Sequence, residues 1–244
     1  MELVKSTGTD YDHVASYGRI KEILDGADVN YEEVDSLPSR DRLTFKNGYY
    51  ANCSAMFVDI RKSSKLPEKY KRPRLAKLYR AYISEIVAVM DGNPKCQEVN
   101  IVGDGVWGVF DTPYKPDIDT TFRAAYSANS AIKMLNYQLK KHDYEPISVG
   151  IGLSYGRALV IKAGFSGSGI NEVVYMGDVV NQAAKLAAHG SEMWNDRPIM
   201  VSDVFYGNLK DDNKALLSWN ANRQAWHGDV INKGMDDWYQ ENCV

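Results

Sequence analysis

Cysteine, histidine and long apolar runs are what this sequence has least of. Its 244 residues include three cysteines, Cys53, Cys96 and Cys243, far apart and odd in number. They exclude a disulfide framework and a cysteine-based zinc pattern. The four histidines, His13, His142, His189 and His227, form no ligand or triad spacing and read as surface or packing residues. No apolar run approaches the length of a membrane span, and the opening segment MELVKSTGTD lacks the apolar core of a signal peptide. A cytoplasmic protein with no membrane partner is expected. Net charge is only −3, so there is no global basic field for nucleic acid. Beyond the stretch from Lys69 to Arg80 no local basic patch stands out, and no nucleic-acid partner is expected.

What is present is ordinary globular material, 44% hydrophobic and 25% charged. Residues 1–50 are polar and irregular, with a helix expected within Tyr11 to Leu24, and read as an N-terminal extension. Residues 51–244 read as the main domain. Its first strand is expected at Ala55 to Ile60. A long helix follows Pro73, with Leu75, Leu78, Tyr79, Tyr82, Ile83, Ile86, Val89 and Met90 marking one face. VNIVGDGVWGVF alternates either side of Gly103-Asp104-Gly105 and predicts a hairpin with a tight turn. A second helix is expected over Thr121 to Lys140, a strand pair in ISVGIGLSYGRALVIKAG, a short strand in EVVYM and a helix in GDVVNQAAKLAAHG. A late strand, RPIMVS, precedes the returning tail. Strand, helix, hairpin, helix, strand is the split βαβ pattern of an α+β, ferredoxin-like fold with an antiparallel sheet.

In that topology the first strand and the second arm of the hairpin are antiparallel neighbours. The carboxyl end of one lies beside the amino end of the other. Asp59 and Asp104 occupy those two positions, so residues 45 apart in sequence are expected to meet at one end of the sheet. Two such carboxylates repel unless a cation intervenes, and hard oxygen ligands with few protein donors suit Mg²⁺ or Mn²⁺ shared with substrate phosphates. The plainer alternatives are turn chemistry at Asp104 and an ion pair between Asp59 and Arg61 or a neighbouring lysine.

MFVDIRKSS, VNIVGDGVWGVF, VGIGLSYGRALV, YMGDVVNQAAKL and INKGMDDWY occur in that order. From about Met56 to Tyr239 the chain resembles the catalytic domain of the class III nucleotidyl cyclases, the adenylate and guanylate cyclase family. The resemblance implies two Mg²⁺ or Mn²⁺ ions held by Asp59, the Ile60 carbonyl and Asp104. It places the transition-state asparagine at Asn181 and the phosphate-binding lysine at Lys233. It implies a head-to-tail homodimer with composite sites, Asp59 and Asp104 from one chain, Asn181 and Lys185 from the other.

Three departures stand out. The position four residues after the asparagine, usually arginine, is Lys185, which lacks the planar fork. The usual Gly-Phe-Thr turn after the first acid is Lys62-Ser63-Ser64, whose backbone amides and Ser64 hydroxyl can still meet phosphate oxygens. Where purine cyclases read the base with lysine or glutamate, this chain has Asn100, and the partner position is Val174. An asparagine amide suits a pyrimidine edge. The chain is similar to the pyrimidine cyclases of bacterial anti-phage signalling. That implies UTP or CTP as substrate and a downstream cyclic-nucleotide-binding effector; UTP is expected, with CTP as the alternative, because the uracil O4 acceptor suits an Asn100 amide donor. Tyr50 is expected to fill space a purine ring would need, or else to pack on the sheet edge. The rivals are a purine cyclase, a catalytically silent nucleotide-sensing or dimerisation module, and a diguanylate cyclase, whose Gly-Gly-(Asp/Glu)-Glu-Phe turn is absent.

Overall fold

The computed structural model of the chain describes Gly8 and residues 10–27, 31–166 and 168–244. The opening segment read for a signal peptide falls largely outside them, as does Gly167 of the glycine-rich loop. In chain order the helices are α1 (His13–Leu24), α2 (Leu66–Lys69), α3 (Arg72–Asp91), α4 (Lys115–Lys141), α5 (Asp178–His189), α6 (Asp203–Asn208), α7 (Asp211–Lys214) and α8 (Lys233–Cys243). The strands are β1 (Tyr31–Glu33), β2 (Gly48–Ile60), β3 (Cys96–Val102), β4 (Gly105–Asp111), β5 (Val149–Gly164), β6 (Asn171–Met176), β7 (Ile199–Val201), β8 (Ser218–Asn220) and β9 (Ala225–Gly228).

One sheet holds all these strands in the order β3-β4-β2-β5-β7-β9-β8, with β1 beside β2 and β6 beside β5. The first four strands of that order are the ferredoxin-like core. The β1–β2 and β5–β7 pairs are parallel and the others antiparallel. Strand alternation sorts β2 between two hydrophobic layers. Met56, Val58 and Ile60 face α3 and α4, with Leu78, Tyr82, Ile86, Met90, Phe110 and Phe122. Tyr49, Ala51, Cys53 and Ala55 face the other way, with Leu37, Leu43, Val109, Val173, Tyr175, Val179 and Ala183. Of the helical stripe expected after Pro73, Leu78, Tyr82, Ile86 and Met90 are the buried face of α3, and Tyr79, Ile83 and Val89 pack partly buried against it. Among the described residues no helix is long and apolar enough to cross a membrane.

Two expectations are corrected. The first strand begins at Gly48 rather than Ala55, because Tyr49 and Ala51 already alternate inward and Tyr31–Glu33 pairs alongside. The segment expected to be a strand pair is a single sixteen-residue strand, β5. Gly150 and Gly152 share one face of the strand and serve close approach. A Cβ at Gly152 would stand 2.1 Å from the Ala183 carbonyl oxygen and 2.2 Å from the Ala187 nitrogen. The backbone of α5 therefore lies directly on β5, and small residues on both sides are what permit it.

Candidate active site

The sheet end built by β2, β4 and β5 carries the acids. Asp59 pairs with Gly150 across the ladder, and Val58 pairs with Val106. That register sets the β3–β4 turn next to Asp59. The turn is two residues, Gly103 and Asp104, with Val102 paired to Gly105. Gly103 takes φ +63°, a conformation that costs glycine nothing and other residues much more.

Asp59 divides its carboxylate between two neighbours. Oδ2 accepts a hydrogen bond from Arg61 Nη2 at 2.7 Å. Oδ1 faces the hairpin, 3.7 Å from where a Cβ on Gly105 would sit. Burial, followed by the charge of Asp104, pushes the Asp59 carboxyl above its ordinary range, and Arg61 pulls it only partly back. Oδ2 of Asp104 is buried and accepts no hydrogen bond. Both plain alternatives weighed from the sequence are thus present, since Asp104 is a turn residue and Asp59 pairs with Arg61, yet the pair is left one cation short. An orphaned buried carboxylate oxygen beside a second half-buried acid fits a divalent cation. Among the described residues no group of three or more His, Cys, Asp and Glu converges as a metal cage. A cation here would take its remaining ligands from backbone, water or substrate. The Ile60 side chain is buried in the core, leaving its backbone to serve.

The turn after Asp59 departs from glycine in sequence but not in shape. Lys62 adopts φ +56° and ψ +32°, the left-handed conformation. A short 3₁₀ turn, Ser63–Lys65, follows, with Ser63 half-buried and Ser64 exposed.

Asn181 and Lys185 project from α5, one turn apart and both exposed. None of the hydrogen bonds or ion pairs among the described residues joins either to Asp59 or Asp104. Lys233 opens α8 and is exposed.

Asn100 lies on β3 opposite Trp107. The Trp107 ring stacks on Phe57, with centroids 5.2 Å apart and planes 4° apart, and meets Tyr175 edge-on. Two residues before Asn100, on the same strand face, Glu98 accepts from the Tyr175 hydroxyl at 3.0 Å and from Arg40 at 2.8 Å. Val174, between inward-facing Val173 and Tyr175, is on the opposite face of β6. Tyr50 lies within β2, its ring under the Arg157 guanidinium at 4.0 Å. At about 3.3 Å per residue it is roughly 30 Å along the strand from Asp59. The chain thus brings together Asp59, Ile60 and Asp104, with Ser63 and Ser64 in the turn that follows. It sets Asn100 two strands away and places Tyr50 at the other end of β2.

Sequence reasoning missed the Arg40–Glu98–Tyr175 network and the Phe57–Trp107 stack. Period-two alternation already put Glu98 beside Asn100 and Phe57 beside Asp59 on one face. Nothing local tied Arg40 to either.

An α+β sheet with an acid pair at one end, a two-residue hairpin turn and a helix lying on the glycines of β5 defines a nucleotide cyclase fold. Residues 45–225 match the adenylate and guanylate cyclase catalytic domain, and the chain belongs to that family. It is 43% identical over 259 aligned positions to a uridylate cyclase of Gulbenkiania mobilis, covering 98% of this chain and 100% of the relative. It is 39% identical over 238 positions to a uridylate cyclase of Treponema porcinum, covering 96% of this chain and 82% of that one. The crystal structure of the adenylyl cyclase CyaB from P. aeruginosa shares the fold with a TM-score of 0.60 at 20% identity, over 70% of this chain and 85% of that one.

Proposed function

We propose that the chain converts UTP to 3′,5′-cyclic UMP and pyrophosphate. The observation that carries the reaction type is the Asp59–Asp104 pair with its unpartnered Asp104 Oδ2. The substrate is supported by 39% and 43% identity to uridylate cyclases along almost the whole chain, and by an amide at Asn100 where a purine reader would be charged. The ribose 3′-oxygen attacks the α-phosphorus, its proton leaves to solvent, and the bond from that phosphorus to the β-phosphate bridging oxygen breaks.

Asp59, the Ile60 carbonyl and Asp104 would hold two Mg²⁺ or Mn²⁺ ions. When bound, these supply acidification of the hydroxyl and neutralisation of the triphosphate. The remaining work belongs to the chain and is mostly positioning and charge. Asn181 orients the ribose, Lys185 meets charge on the α-phosphate, and Lys233 meets the terminal phosphates. Ser63 and Ser64 offer hydroxyls and backbone amides to phosphate oxygens. Asn100 hydrogen-bonds the base edge beside the Trp107 ring, while Val174 offers no polar contact. Tyr50 acts only through the architecture of β2.

Asn181 and Lys185 are exposed and bond to neither acid, which supports a head-to-tail homodimer in which each site takes Asp59 and Asp104 from one chain and these two residues from its partner. Ile101 and Val102, both exposed next to Asp104, give that contact an apolar rim. The catalytic unit takes in β2 from Gly48 onward, and the residues before it form an extension whose Leu37 and Leu43 pack into the second layer of the sheet. The product would act in anti-phage defence through an effector with a cyclic-nucleotide-binding domain.

Incubation with each of the four ribonucleoside triphosphates and Mn²⁺, with products identified by mass, tests this. Cyclic UMP from UTP is expected. Cyclic CMP alone would move the assignment to CTP, and a purine product would overturn the base reading. No product from any of the four would leave a silent nucleotide-binding module.

A further inference from the structure

Arg61 occupies an unusual position for so charged a side chain. It is only 13% exposed, while the Asp59 side chain it grips is 43% exposed. Its Nη2 donates to Asp59 Oδ2 at 2.7 Å and its Nη1 donates to the Ala188 carbonyl at 2.5 Å. Its Nε is buried without an acceptor. A guanidinium buried with one donor unused is costly, and the carboxylate is what holds it there. Ala188 lies in the last turn of α5, whose carbonyls attract a cation. The positive charge thus sits between one acid of the pair and the end of the helix bearing Asn181 and Lys185.

We infer that Arg61 is a place-holding counterion for the acid pair. It neutralises Asp59 while the cation site is empty, keeps Oδ1 turned toward the Asp104 hairpin, and opposes cation entry by charge. The inference rests on Asp59 and Asp104 being the cation site proposed above. Arg61 is a positioning residue, since it reaches the reaction only through Asp59. Its consequence is that the chain alone binds a divalent cation weakly. The negative charge of the arriving triphosphate offsets Arg61, so cations and nucleotide load together. The bond from Arg61 to Ala188 extends the coupling to the placement of α5.

The side chain can be changed without undoing the strand end, because the Arg61 backbone N–H donates separately to the Ser148 carbonyl at 2.8 Å. The test is titration of the nucleotide-free, full-length chain with Mn²⁺ alone, following free Mn²⁺ by electron paramagnetic resonance and folding by thermal melting. Arg61→Gln is expected to bind Mn²⁺ about tenfold more tightly than the parent, as removal of a unit charge within a few ångströms of a divalent ion requires. Mn²⁺ should raise its melting temperature by more than it raises that of the parent. Arg61→Lys, which keeps the charge and loses the fork, should bind like the parent. Asp59→Asn should lose the binding. If Asp59→Asn loses it while Arg61→Gln binds no more tightly than the parent, Arg61 is a structural tie and the inference falls, with the cation site intact. If Asp59→Asn binds as the parent does, the cation site itself falls and the inference with it.

Discussion

Gly150 lies so close beneath α5 that a Cβ added to it would stand 1.9 Å from the carbonyl oxygen of Ala187. Both partners are backbone, so no rotamer change relieves the overlap. Gly150 is also the ladder partner of Asp59. The glycine that seats the helix is therefore the residue beside the first acid. Gly150→Ala should cost about 3 kcal/mol, the upper end of the range for overpacking. It should also displace α5, lowering both the urea midpoint and kcat. A variant with parental stability would show that α5 can lift off β5 freely.

The composite sites proposed above make an arithmetic prediction. Asp59→Ala and Asn181→Ala chains should each be inactive alone. Mixed and re-equilibrated, half of the dimers are hybrids, each with one intact site and one doubly damaged. About a quarter of parental activity should return. Size-exclusion chromatography verifies that dimers form, and a mixture that stays inactive with dimers present would place Asn181 and Asp59 in one and the same chain's site.

The raised Asp59 carboxyl predicts an inverted pH dependence in the absence of metal. Because its folded pKa lies above the ordinary 3.8, the folded chain holds this proton more tightly than the unfolded chain. That contribution is fully present below 3.8 and is lost as pH rises through the raised folded value. Asp104→Asn removes the like charge, so in EDTA it should melt higher than the parent at pH 7, with the gap narrowing toward pH 4. Metal-dependent turnover should vanish in the same variant while dimerisation persists. Equal melting at both pH values would mean that Asp104 does not burden Asp59.

Lys62 predicts a gain. A side chain held in the left-handed conformation costs about 1–2 kcal/mol, and glycine escapes most of it at a smaller entropic cost. Lys62→Gly should therefore stabilise the chain by about 0.5–1 kcal/mol in urea unfolding, and a lower midpoint would show that the lysine is held by contacts worth more than its strain.

On the proposed base contact, Asn100→Ala should lower kcat/KM for the preferred triphosphate by about 10- to 100-fold, the loss expected when such a hydrogen bond disappears. Folding should be unchanged, because Asn100 is only half-buried.

The order of elements was legible because each carries its own period. The apolar stripe from Leu75 to Met90 announces α3, and alternation around Gly103-Asp104 announces the hairpin. From those two facts and the split βαβ topology, the meeting of Asp59 with Asp104 follows before any coordinates exist. Two paired strands are the ordinary reading of so long a run, and only the unbroken ladder with β2 shows that no turn interrupts β5. Alternation places Gly150 and Gly152 on one face in either reading, but nothing local says that a helix backbone lies on them. The start of β2 was missed because Tyr49 and Tyr50 follow a turn-like Lys-Asn-Gly and read as its flank. The grip of Arg61 on Asp59 was one of several options, since an arginine two residues along a strand shares the acid's face but need not stay folded back on it. Its tether at Ala188 depends on where α5 lands, which is a tertiary fact. Arg40, Glu98 and Tyr175 belong to three separate segments and carry no common pattern.

Every residue of β2 from Gly48 to Ile60 has a partner on β5, running from Ile161 to Val149 without a slip. Near the far end of β5, just past Gly164, the Phe165 ring lies under the Arg19 guanidinium of α1 at 4.7 Å. A ladder with no bulge cannot slide by a fraction of a residue. Slipping by one whole residue would turn every β2 side chain to the opposite face, so the Asp59 carboxylate keeps its place beside the hairpin only while the entire ladder keeps its register.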